Sequence, residues 1–227
     1  MSKLLLWLED DSPFPPLDQA LVEPDGLLCA GGDLSVDRLL DAYSQGIFPW
    51  YSEGDPILWW SPDPRMVLAP SEIKISRSLA KIIRNSGMEV RFNSAFSEVI
   101  HACAKPRNED TGSWIIPEMI EAYIRLHQAG YALSAETWQA GKLVGGLYGV
   151  RIGRLFFGES MFSQQSNASK VAFVALCRKL ELENVALIDC QMKSSHLASL
   201  GAYEIPRLAF AQIVASSLVE PRLSSSD

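Results

Sequence analysis

At 227 residues, 48% hydrophobic and 21% charged, the chain has the makeup of a globular protein with one large or two small folding units, which excludes a disordered tract. A formal net charge of -7 argues against a general nucleic-acid binder, because phosphate repels an acidic surface unless its cations are gathered into a patch. The four cysteines, Cys29, Cys103, Cys177 and Cys190, show no CxxC pair, there are only three histidines, and no stretch reaches the roughly 18 apolar residues of a membrane span. No metal, no cofactor and no membrane partner are therefore expected, and a reducing, cytoplasmic setting is.

The N-terminal part is punctuated by Pro, Gly and Trp in "FPPL", "PDGLLCAGGDLS" and "GIFPWYSEGDPILWWSPDPR", which prevents long regular elements. One helix fits there, with Ser35 as its N-cap, Leu39, Leu40 and Tyr43 on its apolar side, and Gly46 as its stop. Pro62 and Pro64 then read as a linker, dividing the chain into residues 1–63 and 64–227. Beyond it, helices are expected over 76–85 and 94–104, and from Pro117 to Gly130. Strands follow at "ALSAETWQ", "KLVGGLYGVRIG" and "RLFFGESMF", joined by hairpin signals at "AGK" and "IGR". A long amphipathic helix over 167–182, a strand "ALIDCQ", a helix from Ser194 and another near 209–218 complete the chain.

On the strand "ALIDCQ", regular alternation sends Asp189 and Gln191 to one face and Ile188 and Cys190 to the other, so a polar face opposes a core face. Glu159 in "FFGESMF" is a second acid, set among Phe156, Phe157, Met161 and Phe162, and a carboxylate there needs a partner. Asn167 is placed to cap the long helix, whose first amides could also hold a phosphate or a carbonyl. In "IKISRSLAKIIRNSG", Ile75, Leu79, Ile82 and Ile83 form one face of a helix while Lys74, Arg77, Lys81 and Arg84 gather on the other. Four cations so concentrated in an acidic chain are a candidate tRNA-binding stripe, the alternative being a solvated polar face.

This order of elements makes an α/β (α+β) protein in which a small N-terminal α/β domain precedes a unit that resembles the acetyltransferase-like (GNAT) fold, a mixed sheet flanked by helices. An acetyltransferase holds the pyrophosphate of its donor in a glycine-rich loop at a helix N-terminus; the corresponding loop here, "SQQSNASK", has no glycine.

The strings "GLLCAGGDLS", "GIFPWYSEGDPILWWSPDPR", "TGSWI", "LVGGLYGV", "LFFGESMFS", "NASK", "LIDCQ" and "HLASLGAYEIPR", in this order, resemble the bacterial leucyl/phenylalanyl-tRNA-protein transferases over nearly the whole chain. The resemblance implies an enzyme that moves Leu or Phe from Leu-tRNA or Phe-tRNA to the N-terminal Arg or Lys of acceptor proteins, marking them for degradation; a monomer is expected. An aminoacyl ester is already activated, so the reaction needs neither ATP nor metal. It needs an α-amine to be deprotonated, at a pKa of about 7.7 to 8.0, and a tetrahedral oxyanion to be stabilised. Asp189 and Gln191 are read as catalytic from their shared strand face, the alternative being a polar strand end satisfied by backbone, and the resemblance places Glu159 with them in the active centre, the alternative being a structural ion pair. Asp189 is expected to hold a cationic group of the acceptor and Gln191 to accept a hydrogen bond from the attacking amine. Alanine at either is expected to slow transfer at least about tenfold without unfolding. Trp50 and Trp114 are implied to line the cleft for the aminoacyl-adenosine end, and Leu147, Leu176 and Leu180 to take the donor side chain, with Met161 and Phe162 as candidate pocket walls and core packing the alternative for those two and for the two helix leucines. Two other functions stay open: an acetyl-CoA-dependent N-acetyltransferase, and a non-catalytic binder of basic protein N-termini with Asp189 and Glu159 as its acidic pocket.

Overall fold

The computed structural model describes residues 5–105 and 115–218. The Pro- and Gly-rich N-terminal part forms a four-stranded sheet of short strands: β1 (Leu6–Leu8), β2 (Leu27–Gly31), β3 (Phe48–Pro49) and β4 (Leu58–Trp60), in the order β1-β2-β4-β3. Strands of two to five residues have too few positions for an alternating pattern to show, and none was read from the sequence. Between β2 and β3 lies α1 (Val36–Ser44), capped as expected by the Ser35 hydroxyl, which accepts the Arg38 N–H at 3.2 Å.

A seven-stranded mixed sheet follows, in the order β11-β5-β10-β9-β8-β7-β6. Its strands are β5 (Arg65–Leu68), β6 (Glu89–Phe92), β7 (Ala132–Gln139), β8 (Lys142–Ile152), β9 (Leu155–Ser163), β10 (Leu187–Gln191) and β11 (Tyr203–Ile205). β7, β8 and β9 are the antiparallel meander expected from the turn signals, and α5 (Ala168–Leu182) crosses over from β9 to a parallel β10. The other helices are α2 (Arg77–Asn85), α3 (Phe96–Cys103), α4 (Pro117–Gln128), α6 (Ser195–Ser199) and α7 (Arg207–Ser217). α3 starts two residues later than its sequence suggested. Ser94 and the Ala95 N–H both turn to the buried Glu136 carboxylate, at 2.7 and 3.3 Å, so an acid on β7 satisfies that helix end.

The two faces of the large sheet bury different clusters. Phe156, Leu147 and Ile188 face α5, with Phe173, Leu176 and Leu180 opposite them. Phe157, Tyr148 and Leu187 face α3, α4 and α7 in a cluster that runs on through Tyr43 and Trp59 of the N-terminal region. One core therefore spans both sheets.

That continuity corrects the expectation of a linker at Pro62 and Pro64. The Ser61 N–H donates to Gly26 O at 2.7 Å, and Arg207 at the start of α7 donates to Ser61 O at 2.7 Å and to the Asp63 carboxylate at 3.0 Å. A segment held by three hydrogen bonds is a fixed crossing between sheets, and composition alone does not distinguish such a crossing from a spacer.

Candidate active site

β9 and β10 run side by side only from Leu155 to Phe157 and from Leu187 to Asp189; beyond that, their register ends and the strands part. The cleft so opened measures about 810 Å³ and is walled by Leu147, Phe156, Met161, Phe162 and Phe173, with Glu159, Asp189 and Gln191 at its polar end. A cleft of this size, mostly apolar with a few convergent polar groups, is the ordinary form of a small-ligand site.

Two irregularities of backbone build the polar end. On β9, Ser160 pairs with Tyr148 and Gly158 with Gly149, so Glu159 is an extra residue, a β-bulge. The bulge reverses the phase of the strand: Phe157 before it and Phe162 after it belong to the same cluster, whereas simple alternation would separate them. It fits because position 149 is glycine; a Cβ there would lie 2.1 Å from Phe157 O. On β10, the register with β5 breaks between Asp189 and Gln191, and Gln191 takes the left-handed φ of +62°. Gln191 reaches the site through this turn, not through the regular alternation its sequence suggested.

Glu159 is buried, and its partners are all neutral. The Tyr43 hydroxyl lies 2.7 Å from Oε1, the Tyr123 hydroxyl 3.0 Å from Oε2, and Gln191 Nε2 donates to Oε1 at 3.1 Å. Tyr43 and Tyr123 also hydrogen-bond each other. Burial pushes the Glu159 carboxyl up to about 7, against the opposing pull of the tyrosine hydrogen bonds, with the Asp189 charge adding to the rise.

Asp189 differs from its expected role. It is fully buried, and Arg65 takes both its oxygens, Nε at 2.8 Å and Nη2 at 2.6 Å. A carboxylate engaged through both oxygens by an internal guanidinium is not open to an acceptor's cation. Trp50, in the β3–β4 hairpin, packs edge-on to Trp60 at 5.3 Å, its carbonyl accepts the Trp60 Nε1–H at 2.6 Å, and it is not among the described walls of the cleft. Trp114 lies outside the described residues.

Leu147, Met161 and Phe162 line the cleft, whereas Leu176 and Leu180 are fully buried under the sheet, turned inward by the helix period. Asn167 precedes α5 in a left-handed conformation with φ of +68°, and its amide bonds Ser166 in place of a helix N–H. The cap comes instead from the Ser163 hydroxyl, which accepts the Ser169 N–H at 3.2 Å, while the Ala168 N–H goes to Gln165 O at 3.1 Å. The end of α5 that would cradle a pyrophosphate is thus partly satisfied by the chain itself, which disfavours acetyl-CoA as donor. Lys74, Arg77, Lys81 and Arg84 are all exposed, with Leu79 buried beneath them.

Tyr43, Tyr123 and Arg65 went unread as site residues. Tyr43 was taken as an apolar face position; the signal available was its hydroxyl, which has to find a partner when buried. Arg65 ends the string "SPDPR", where a cation opening a strand was a comparable hint.

Residues 67–215 match the family described as leucyl/phenylalanyl-tRNA protein transferase, and residues 32–63 match the N-terminal domain of the same description. A leucyl/phenylalanyl-tRNA–protein transferase of Nitrosomonas eutropha is 59% identical over 214 residues, 94% of this chain and 92% of its own. That of Nitrosospira multiformis is 61% identical over 209 residues, 92% of this chain and 90% of its own. Among solved structures, FemX aligns over 79% of this chain and 71% of its own at 10% identity and a TM-score of 0.45, a remote likeness.

Proposed function

The chain belongs to the leucyl/phenylalanyl-tRNA–protein transferase family and moves Leu or Phe from tRNA to proteins; on that premise we propose that its acceptors are proteins with N-terminal Arg or Lys, which the transfer marks for degradation. The observation that carries the acceptor is Glu159: a buried carboxylate at the end of the cleft whose partners, Tyr43, Tyr123 and Gln191, bring no positive charge. A guanidinium or ammonium arriving there supplies the missing counter-ion and displaces the carboxyl proton. Asp189, already neutralised by Arg65, is left with a supporting role.

The donor's Leu or Phe side chain lies against Leu147, Phe156, Met161 and Phe173. The Gln191 amide oxygen accepts an N–H of the acceptor's α-amine and aims its lone pair at the ester carbonyl carbon. The new N–C bond forms first, giving a tetrahedral oxyanion whose collapse breaks the ester C–O bond, and the proton lost by the amine reaches the departing ribose oxygen directly or through water. An amide is too weak a base to keep it, so most of the acceleration comes from positioning. We place the enzyme in the cytoplasm, where aminoacyl-tRNA is made, as a monomer of two units, 1–63 and 64–227, each with its own sheet and both packed on one shared core. With labelled Leu-tRNA, peptides beginning Arg or Lys should be modified and a peptide beginning Ala should not; equal labelling of all three would defeat the acceptor assignment.

The exposed stripe of Lys74, Arg77, Lys81 and Arg84 is the proposed tRNA contact. Among the described residues, none of the four is ion-paired with a carboxylate, so all are available to phosphate. Each phosphate contact adds roughly 0.7 to 0.9 to the salt slope of binding. Replacing Arg77, Lys81 and Arg84 by Ala should weaken tRNA binding and flatten that slope, while an aminoacyl-adenosine donor, too short to reach α2, reacts at a nearly unchanged rate. Equal damage to both donors, or to neither, would remove the stripe from the tRNA site.

A further inference from the structure

We infer that Arg65 is a positioning residue for Gln191 and acts through Asp189; the inference rests on the role proposed above for Gln191. Arg65 opens β5 and, like Asp189, is fully buried. The rings of Phe48 and Phe210 each lie 4.8 Å from its guanidinium carbon, one from β3 and the other from α7, so the small sheet and the last helix together hold the guanidinium in place. Its remaining nitrogen, Nη1, is buried without a hydrogen-bond partner among the described residues. A pair kept for stability alone would be poorly designed this way, since two apolar residues of the same volume would avoid both the desolvation and the orphaned donor.

What the pair accomplishes is seen at the third contact of Asp189. Its Oδ1, already fixed by Arg65 Nε, also accepts the backbone N–H of Gln191 at 2.9 Å. That N–H belongs to the residue with φ of +62°, a conformation that costs a glutamine energy and persists only where its surroundings impose it. The turn brings the Gln191 amide to Glu159, and with Nε2 engaged there at 3.1 Å the amide oxygen is the atom left to receive the amine. The line of control runs from guanidinium to carboxylate, to a strained backbone, to the orientation of one amide. Arg65 never meets substrate.

Arg65→Lys keeps the charge and loses the planar fork. Assayed with labelled Leu-tRNA and a peptide beginning Arg, it should lower kcat roughly tenfold with the peptide KM within about twofold. In a Gln191→Ala background, the same substitution should change kcat by less than about twofold, because the group it positions is gone. Equal proportional losses in the two backgrounds overturn the inference and leave the role of Gln191 standing. A Gln191→Ala enzyme as fast as wild type overturns both. If circular dichroism shows Arg65→Lys unfolded, Phe210→Leu takes its place: it removes one of the two rings and keeps the ion pair. Its loss of kcat should likewise depend on Gln191, and a loss independent of Gln191 overturns the inference.

Discussion

Glu159→Gln should cost the enzyme its cationic acceptors while making the protein more stable at alkaline pH. A hydrogen bond between opposite charges contributes about 1.5 to 3 kcal/mol, so the KM for a peptide beginning Arg should rise about 10- to 100-fold. In the native enzyme that KM should fall as pH rises through about 7, where Glu159 ionises, and in the variant this dependence should vanish. The α-amine titrates nearby, but its effect on the rate persists in the variant, which separates the two. For stability the sign is the opposite. The folded state holds the Glu159 proton up to about 7 and the unfolded chain only to its ordinary 4.5, so this carboxyl contributes stability that is full below 4.5 and lost as pH rises through 7. A neutral amide has no such loss. Chemical denaturation at pH 8 should therefore show the variant more stable by up to roughly 3 kcal/mol. An unchanged acceptor KM, or a variant less stable than wild type at pH 8, would contradict the buried, uncompensated carboxylate described above.

Asp189→Ala should be damaging to the fold itself. Removing it strands the Arg65 guanidinium, fully buried and without a counter-charge, at an expected cost of about 3 to 5 kcal/mol. At about 2 to 4 °C per kcal/mol for a chain of this size, the melting temperature should fall by roughly 10 °C. The sequence suggested a variant that folds normally, because an acid on a polar strand face gives no sign of an internal partner more than a hundred residues away. The control is a double replacement, Arg65→Met with Asp189→Leu, which exchanges the pair for apolar volume. It should recover most of the melting temperature and remain slow in transfer. A single variant that melts like wild type, or a double variant no better than the single one, would show that the pair is not the buried couple seen here.

The elements long enough to display a period were legible in the sequence: the β7–β8–β9 meander, the crossover α5, and the helix ends marked by Ser35 and Pro117. So was the family, since its strings of residues occur in order along the chain. Tyr43, Tyr123 and Glu159 come from α1, α4 and β9, and Arg65 and Asp189 from β5 and β10. Nothing local to any of these residues names its partner, because a hydroxyl or guanidinium on an otherwise apolar element reads as packing until the chain has brought its acceptor within reach. The bulge at Glu159 and the left-handed turn at Gln191 escaped for a related reason. Alternation assumes a regular strand, and these two strands are irregular where they part, since a cleft opens only where the ladder between them stops. The types of residue at the site, and that an acid and an amide would share it, were determined by the sequence alone. Which acid remains free for a cation was decided by the tertiary structure, because only there does Arg65 occupy both oxygens of Asp189 and leave Glu159 with neutral partners.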